Sequence, residues 1–222
     1  MTLKKHRHTL IYKTFLFIFI LIIGNNCTSA SELADDNYFS NSINYSTLNK
    51  IEVLEYADKT FNQALNSADT KEKEELYKIA LGTYVVLNKM DSYSDYPIIQ
   101  IARIYDYQNK DELAKSYFYQ ALKIHENCPL ANLYLGDFYY RREYYHKALG
   151  YYRKALNDGV ETDYKLSLNL GIIYEKLGDL MNAQIYYHKA YKNNPTEEVH
   201  SKIRNLDTNK YNETGYYKKN DN

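Results

Sequence analysis

The chain has 222 residues, with 28 Lys and Arg against 28 Asp and Glu, 27 Tyr, no Trp, eight Gly and three Pro. The balanced charge excludes an ordinary nucleic-acid binder, which shows a Lys/Arg excess on one face, and two cysteines, Cys27 and Cys128, without a CxxC or Cys/His spacing, exclude a disulfide scaffold and a zinc site. With 45% apolar residues the chain can bury a core, and its scarcity of Gly and Pro favours helices over a turn-rich sandwich.

Residues 1–30 read as a secretory signal peptide. Lys4, Lys5, Arg7 and Lys13 form a basic region, Phe15 to Ile23 is an unbroken apolar run of nine, and Gly24 to Ala30 is polar and small. As a helix the run spans about 14 Å, roughly half a hydrocarbon core, so a membrane anchor is the weaker reading. Thr28, Ser29 and Ala30 suit cleavage that leaves Ser31 first. Lipidation of Cys27 is the competing route, although Gly24, Asn25 and Asn26 depart from the residues such processing prefers. Cleavage removes four basic and no acidic side chains and leaves a formal net charge of −4. Residues 31–46, rich in Asn and Ser, read as a polar linker.

Two amphipathic helices, read together as a divergent first repeat, are predicted over 47–94. Leu48, Ile51, Leu54, Ala57, Phe61 and Leu65 recur at three and four in the first, and Asp69 or Thr70 followed by Glu72 and Glu74 starts the second. From 95 onward the chain repeats, in segments 95–128, 129–163 and 164–198. Ala80, Ala114, Ala148 and Ala183 lie 34, 34 and 35 apart. Each is followed four residues on by an aromatic (Tyr84, Phe118, Tyr152, Tyr187) and three further on by Leu87, Ala121, Ala155 or Ala190. Upstream, Ala102, Gly136 and Gly171 keep the same spacing, each followed by Tyr105, Tyr139 or Tyr174.

Helical residues four apart share a face, so a small residue followed by an aromatic makes a notch beside a ridge. Gly136 and Gly171 let two backbones approach, with the ring of Tyr139 or Tyr174 expected to fill the gap one turn on. Ala148 and Ala183 do likewise on the second helix, and Ala155 and Ala190 lie where the next repeat docks. Val199, Ile203 and Leu206 predict a closing helix after Pro195, ending at about 206. The tail 207–222 has almost no aliphatic residue and is expected to be disordered.

These columns resemble the tetratricopeptide repeat, a unit of ~34 residues built as helix, turn, helix. The resemblance is fullest at Leu135, Gly136, Tyr139, Ala148, Tyr152 and Ala155, and at Leu170, Gly171, Tyr174, Gly178, Ala183, Tyr187, Ala190 and Pro195. A third repeat carries Ile101, Ala102, Tyr105, Ala114, Phe118 and Ala121. Early in the first helices, Ile98, Asn132 and Ser167 stand where the family favours a bulky aromatic. The resemblance implies an all-α fold, with helix-turn-helix repeats stacked into a right-handed superhelical solenoid whose first helices line a concave face that binds a partner peptide. Carried over residue by residue, that face is Tyr96, Ile99, Arg103, Asp106 and Tyr107, then Leu133, Asp137, Tyr140 and Arg141, then Lys165, Leu168, Asn169, Ile172 and Lys176. Tyr and Arg dominate interface hot spots, which singles out Arg103, Tyr107, Tyr140 and Arg141.

No HExxH, Walker loop, GxGxxG or GxSxG occurs. His125, His146, His188 and His200 are scattered, Glu197 and Glu198 suit the first turn of a helix, and Cys128 reads as a buried thiol between repeats. The expectation is therefore a non-enzymatic, exported interaction scaffold without cofactor or metal, periplasmic or envelope-associated in a bacterium and otherwise secreted. Its partner is a protein or peptide rather than nucleic acid, and it meets a membrane only if lipidated or left with its signal. The alternatives are an envelope-assembly lipoprotein anchored through Cys27 and a self-associating structural module.

Overall fold

The computed structural model describes residues 48–213, with side chains as far as 207. The expected signal peptide, Cys27 and the linker 31–46 lie outside the described residues, as does the tail beyond 213. Among the described residues are nine α-helices and no strand. They fall into two compact units that divide between Glu126 and Asn127.

In the first unit, α1 (Lys50–Asn66) and α2 (Thr70–Met90) form one hairpin and α3 (Tyr96–Tyr107) and α4 (Asp111–Ile124) another, with α2 packed on α3. In the second, α5 (Pro129–Arg141) pairs with α6 (Tyr145–Asn157) and α7 (Tyr164–Lys176) with α8 (Leu180–Asn193). There α6 packs on α7, and α9 (Glu197–Glu213) on α8. The closing helix thus runs past 206, so 207–213, assigned to the tail by composition, are helical. No Gly or Pro interrupts the sequence until Gly215, and low apolar content alone does not stop a helix.

Helix starts follow local chemistry. Asn49 Oδ1 accepts from the Ile51 amide (3.0 Å), and Asp69, not Thr70, caps α2 by accepting from the amides of Lys71 (2.7 Å) and Glu72 (3.2 Å). Asp163 and Asp179 cap α7 and α8 in the same way. The turns within the last three hairpins are copies of one another. Asn109, Glu143 and Gly178 have φ of 57°, 60° and 79°. The next amide in each, from Lys110, Tyr144 and Asp179, returns to the carbonyl of Tyr105, Tyr139 and Tyr174 at 2.9, 3.0 and 2.9 Å. That bond closes the first helix and points the second back along it.

The repeating columns form the core. Ala80, Ala114, Ala148 and Ala183 are fully buried, as are Tyr84, Phe118, Tyr152 and Tyr187, and Ala102, Ala121, Ala155 and Ala190. The notch over the glycines is filled differently from the sequence expectation. A Cβ on Gly136 would stand 2.3 Å from the Tyr152 ring, and one on Gly171 2.5 Å from the Tyr187 ring. The ring therefore comes from the second helix of the hairpin, not from Tyr139 or Tyr174. Those two stack on Tyr151 (5.4 Å between centroids) and Tyr186 (5.5 Å), as Tyr105 stacks on Tyr117 (5.6 Å). A helical i,i+3 neighbour cannot reach beneath its own backbone, whereas a ring on the facing helix can.

Val199, Ile203 and Leu206 bury the inner stripe of α9. Ile98, Asn132 and Ser167 are buried in spite of their departure from the aromatic preference, with Asn132 Nδ2 donating to the Cys128 carbonyl at 3.2 Å. Cys128 is buried, and its Sγ accepts from the Ala131 amide at 3.5 Å, one bond of the α5 N-terminus.

Candidate functional site

The residues assigned to the partner face lie on first helices, and the structure closes many of them into polar nodes. In the second unit, Tyr152 reaches from α6 under Gly136 and its hydroxyl donates to Asp137 Oδ1 on α5 (2.6 Å). Lys165, from the start of α7, donates to Asp137 Oδ2 (2.5 Å), and Asn169 Nδ2, one turn along α7, donates to the Tyr152 oxygen (3.1 Å). Asp137, Lys165 and Asn169 are thereby brought together, and they tie two neighbouring hairpins. Asp137 and Asn169 are buried, while Lys165 keeps 60% of its side chain exposed.

A second node follows in the last repeat. Tyr187 donates to Glu175, which also accepts from Lys202 of α9 (3.2 Å), and the Lys202 ammonium stands 5.4 Å from the Tyr187 ring centre. Burial alone raises the Glu175 pKa, but the bonds from Tyr187 and Lys202 outweigh it and hold the carboxyl below the usual glutamate range. Burial, and the carboxylate each faces, push the phenols of Tyr152 and Tyr187 far above the ordinary tyrosine value, so both stay protonated donors.

The first unit builds its counterpart on α1. Asp58 Oδ1 accepts from Tyr84 (2.6 Å) and from Tyr96 at the start of α3 (3.0 Å). Burial and Asp58 likewise raise the Tyr84 pKa far beyond the usual range. Arg103 donates to Gln100 Oε1 (2.7 Å) and lays its guanidinium 4.9 Å from the Phe61 ring centre, while Tyr107 meets the same ring edge-on at 6.1 Å. Ile99 and Asp106 are buried.

Of the expected face residues, Tyr96, Arg103, Tyr107, Asp137, Lys165 and Asn169 therefore hold neighbouring elements together. Tyr140 is half-buried, and burial first, then its neighbours Tyr145, Glu198 and Asp137, raise its pKa. Arg141 and Lys176 are exposed, and Leu133, Leu168 and Ile172 are half-buried. Asp58, Glu175 and Lys202 were missed by sequence reasoning. A signal existed for Asp58, since Ala57–Asp58 repeats the small residue then Asp of Gly136–Asp137.

Among the described residues no three His, Cys, Asp or Glu side chains gather as a metal site, and no helix is long and apolar enough to cross a membrane. His125 pairs with Asp95 (2.9 Å) and His200 lies 3.6 Å from Glu197. A polar cleft of 520 Å³ between α1 and α2, lined by residues such as Lys59, Asn62 and Glu72, holds no converging catalytic set.

The sequence matches the tetratricopeptide repeat over residues 98–128 and 164–197. The fold is an all-α solenoid of tetratricopeptide repeats. Solved structures similar to the chain include YrrB, a tetratricopeptide protein with an unusual peptide-binding site, at 23% identity and TM-score 0.53 over 57% of this chain and 66% of that one. Pseudomonas aeruginosa PilF is 18% identical with TM-score 0.55 over 74% of this chain and 72% of its own. PilW, a widely conserved type IV pilus biogenesis factor, is 23% identical with TM-score 0.51 over 64% of each chain. The chain thus spans just under two thirds of the YrrB and PilW chains. No curated protein matches the sequence. The hairpin 129–163 falls between the two matched stretches, yet it carries the same turn and the same buried columns as its neighbours.

Proposed function

We propose that the chain is an exported, non-enzymatic scaffold that binds a partner peptide or protein on the first-helix face of its tetratricopeptide repeats. The observation that carries this reading is the division of labour on that face in the second unit. Asp137 and Glu175 are closed internally by Tyr152, Lys165, Tyr187 and Lys202, while Tyr140, Arg141 and Lys176 remain at the surface beside half-buried Leu133, Leu168 and Ile172. An aromatic, a guanidinium and an apolar floor on a braced backbone make a pre-organised binding surface. The peptide-binding site named for YrrB agrees with the reading without establishing it.

The test is Tyr140→Ala combined with Arg141→Ala, followed by crosslinking in native cells and mass spectrometry. The expected result is loss of the crosslinked partner with helicity and melting temperature unchanged. Retention of the partner removes these residues from the interface, and collapse of the fold makes them core.

The three-part N-terminus supports export, and the position of Cys27 just beyond the apolar run supports a second reading, an envelope-assembly lipoprotein held at a membrane. Intact mass of the mature chain separates them, because a chain beginning at Ser31 excludes a lipid on Cys27.

A further inference from the structure

The second helices of the two units differ in charge. α2 carries four Lys against Glu72, Glu74 and Glu75, and α4 carries Lys115 and Lys123 against Asp111 and Glu112. α6 and α8 carry Lys147, Arg153, Lys154, Lys189 and Lys192 and no acidic residue. All five cations are exposed. Their neighbours are rings: Lys147 stands over Tyr139 and Tyr144, Lys154 over Tyr151, and Lys189 over Tyr186, while Arg153 donates to the Tyr174 hydroxyl (3.1 Å). Arg153 thus joins the outer surface of α6 to the stacked tyrosines of α7 and α8. Asp179 is close enough to feel the Arg153 charge, and it is already engaged by the amide and side chain of Asn182.

The same side of α8 is also apolar. Met181 is 76% exposed and Ile185 46%, four residues apart and so on one face, with His188 and Lys192 continuing the stripe and Tyr191 beside it. Tyr144, just before α6, is 58% exposed. Cations, tyrosine rings and protruding aliphatic side chains together compose a surface suited to the boundary between lipid and water. A nucleic-acid duplex would use the cations but leave Met181 and Ile185 in water.

We infer that the outer face of α6 and α8 docks the second unit on an anionic lipid bilayer, with the five cations over the headgroups and Met181 and Ile185 entering the interface. This face is formed by second helices and does not depend on the partner reading of the first helices. A chain expected to be exported past a membrane has such a surface within reach.

The experiment is vesicle co-sedimentation of the full chain. Vesicles of phosphatidylcholine alone are compared with phosphatidylcholine mixed with phosphatidylglycerol, and every chain compared, the reference included, carries Lys4→Gln, Lys5→Gln, Arg7→Gln and Lys13→Gln, so that the basic region adds no anionic preference and the apolar run 15–23 contributes to both and cancels in the ratio. The reference chain should prefer the anionic vesicles at least ~10-fold, and Lys147→Gln, Arg153→Gln, Lys154→Gln and Lys189→Gln together should bring that preference close to one. Met181→Ser with Ile185→Ser should lower binding to anionic vesicles while leaving a salt-sensitive remainder. Independently of any further variant, raising salt from about 0.05 to 0.5 M should abolish the preference of the reference chain. Equal partition of the reference chain onto both vesicles, a preference within twofold of the reference in the chain that also carries the four face substitutions, or a preference for duplex DNA over the anionic vesicles each overturns the inference.

Discussion

The two units solve one packing problem with different chemistry. In the second, glycine at 136 and 171 admits a tyrosine ring closer than any Cβ allows, and the hydroxyl beyond that ring ends on a carboxylate that a lysine also holds. In the first, Ala102 stands in the glycine column, Phe118 in the ring column lacks a hydroxyl, and the carboxylate node lies a hairpin earlier, on Asp58, with two tyrosines and no lysine as donors. The comparison teaches that the period fixes which backbones approach one another, while the polar closure of each repeat is negotiated locally. It also places the second unit's cations in two roles, as braces at Lys165 and Lys202 and as an outer surface at Lys147, Arg153, Lys154, Lys189 and Lys192.

The sharpest way to break the comparison is at the glycine. Gly136→Leu should cost about 3 kcal/mol, read from urea unfolding, because the added side chain meets the Tyr152 ring. Ala102→Gly should cost only about 1 kcal/mol, the helix propensity difference. Gly150→Ala, where a Cβ meets nothing within 4 Å, should instead stabilise by about 0.5 to 1 kcal/mol. Equal gains at 136 and 150 would mean that helix propensity, not ring contact, governs both.

The hydroxyl comes next. Tyr152→Phe should destabilise by about 1 to 3 kcal/mol, since buried Asp137 loses a donor, and Phe118→Tyr should cost a similar amount by burying a phenol in a repeat that has no node to receive it. A neutral Phe118→Tyr would show that the two repeats are interchangeable at this column.

Smaller effects test the turns and the acid response. Glu143 holds the left-handed conformation that Gly178 adopts freely, so Glu143→Gly should raise stability by about 1 kcal/mol, while Gly178→Ala should lower it by a similar amount, both read from the urea midpoint. Glu175 titrates below the usual glutamate value of 4.5 in the folded chain, so its stabilising share is complete above that pH and is lost as the pH falls through the folded value. Glu175→Gln should flatten the acid limb of the midpoint against pH, and an unchanged limb would detach the Tyr187 node from acid unfolding.

The columns were legible in the sequence because small residues and rings that pack between helices must recur with the repeat. Ala148, Tyr152 and Ala155, and Ala183, Tyr187 and Ala190, could be placed in the core by counting alone. The ring partner of Gly136 was misplaced because counting along one helix favours Tyr139, whereas the facing helix supplies Tyr152. The nodes were less legible, since Asp137 meets Tyr152 across a hairpin and Lys165 from the next one, contacts that no local window contains. The longer α2 also hides the kinship of the Asp58 node, separating that aspartate from Tyr84 by 26 residues against 15 between Asp137 and Tyr152. Hence residues such as Asp137, Lys165 and Asn169, expected on the partner face from the family's groove positions, also brace the chain internally.

A double-mutant cycle between Tyr152→Phe and Asp137→Ala, measured by urea unfolding, tests that central point most directly. The node predicts a coupling of at least ~1 kcal/mol between the two changes. A coupling indistinguishable from zero would contradict it and return Asp137 to the surface that meets a partner.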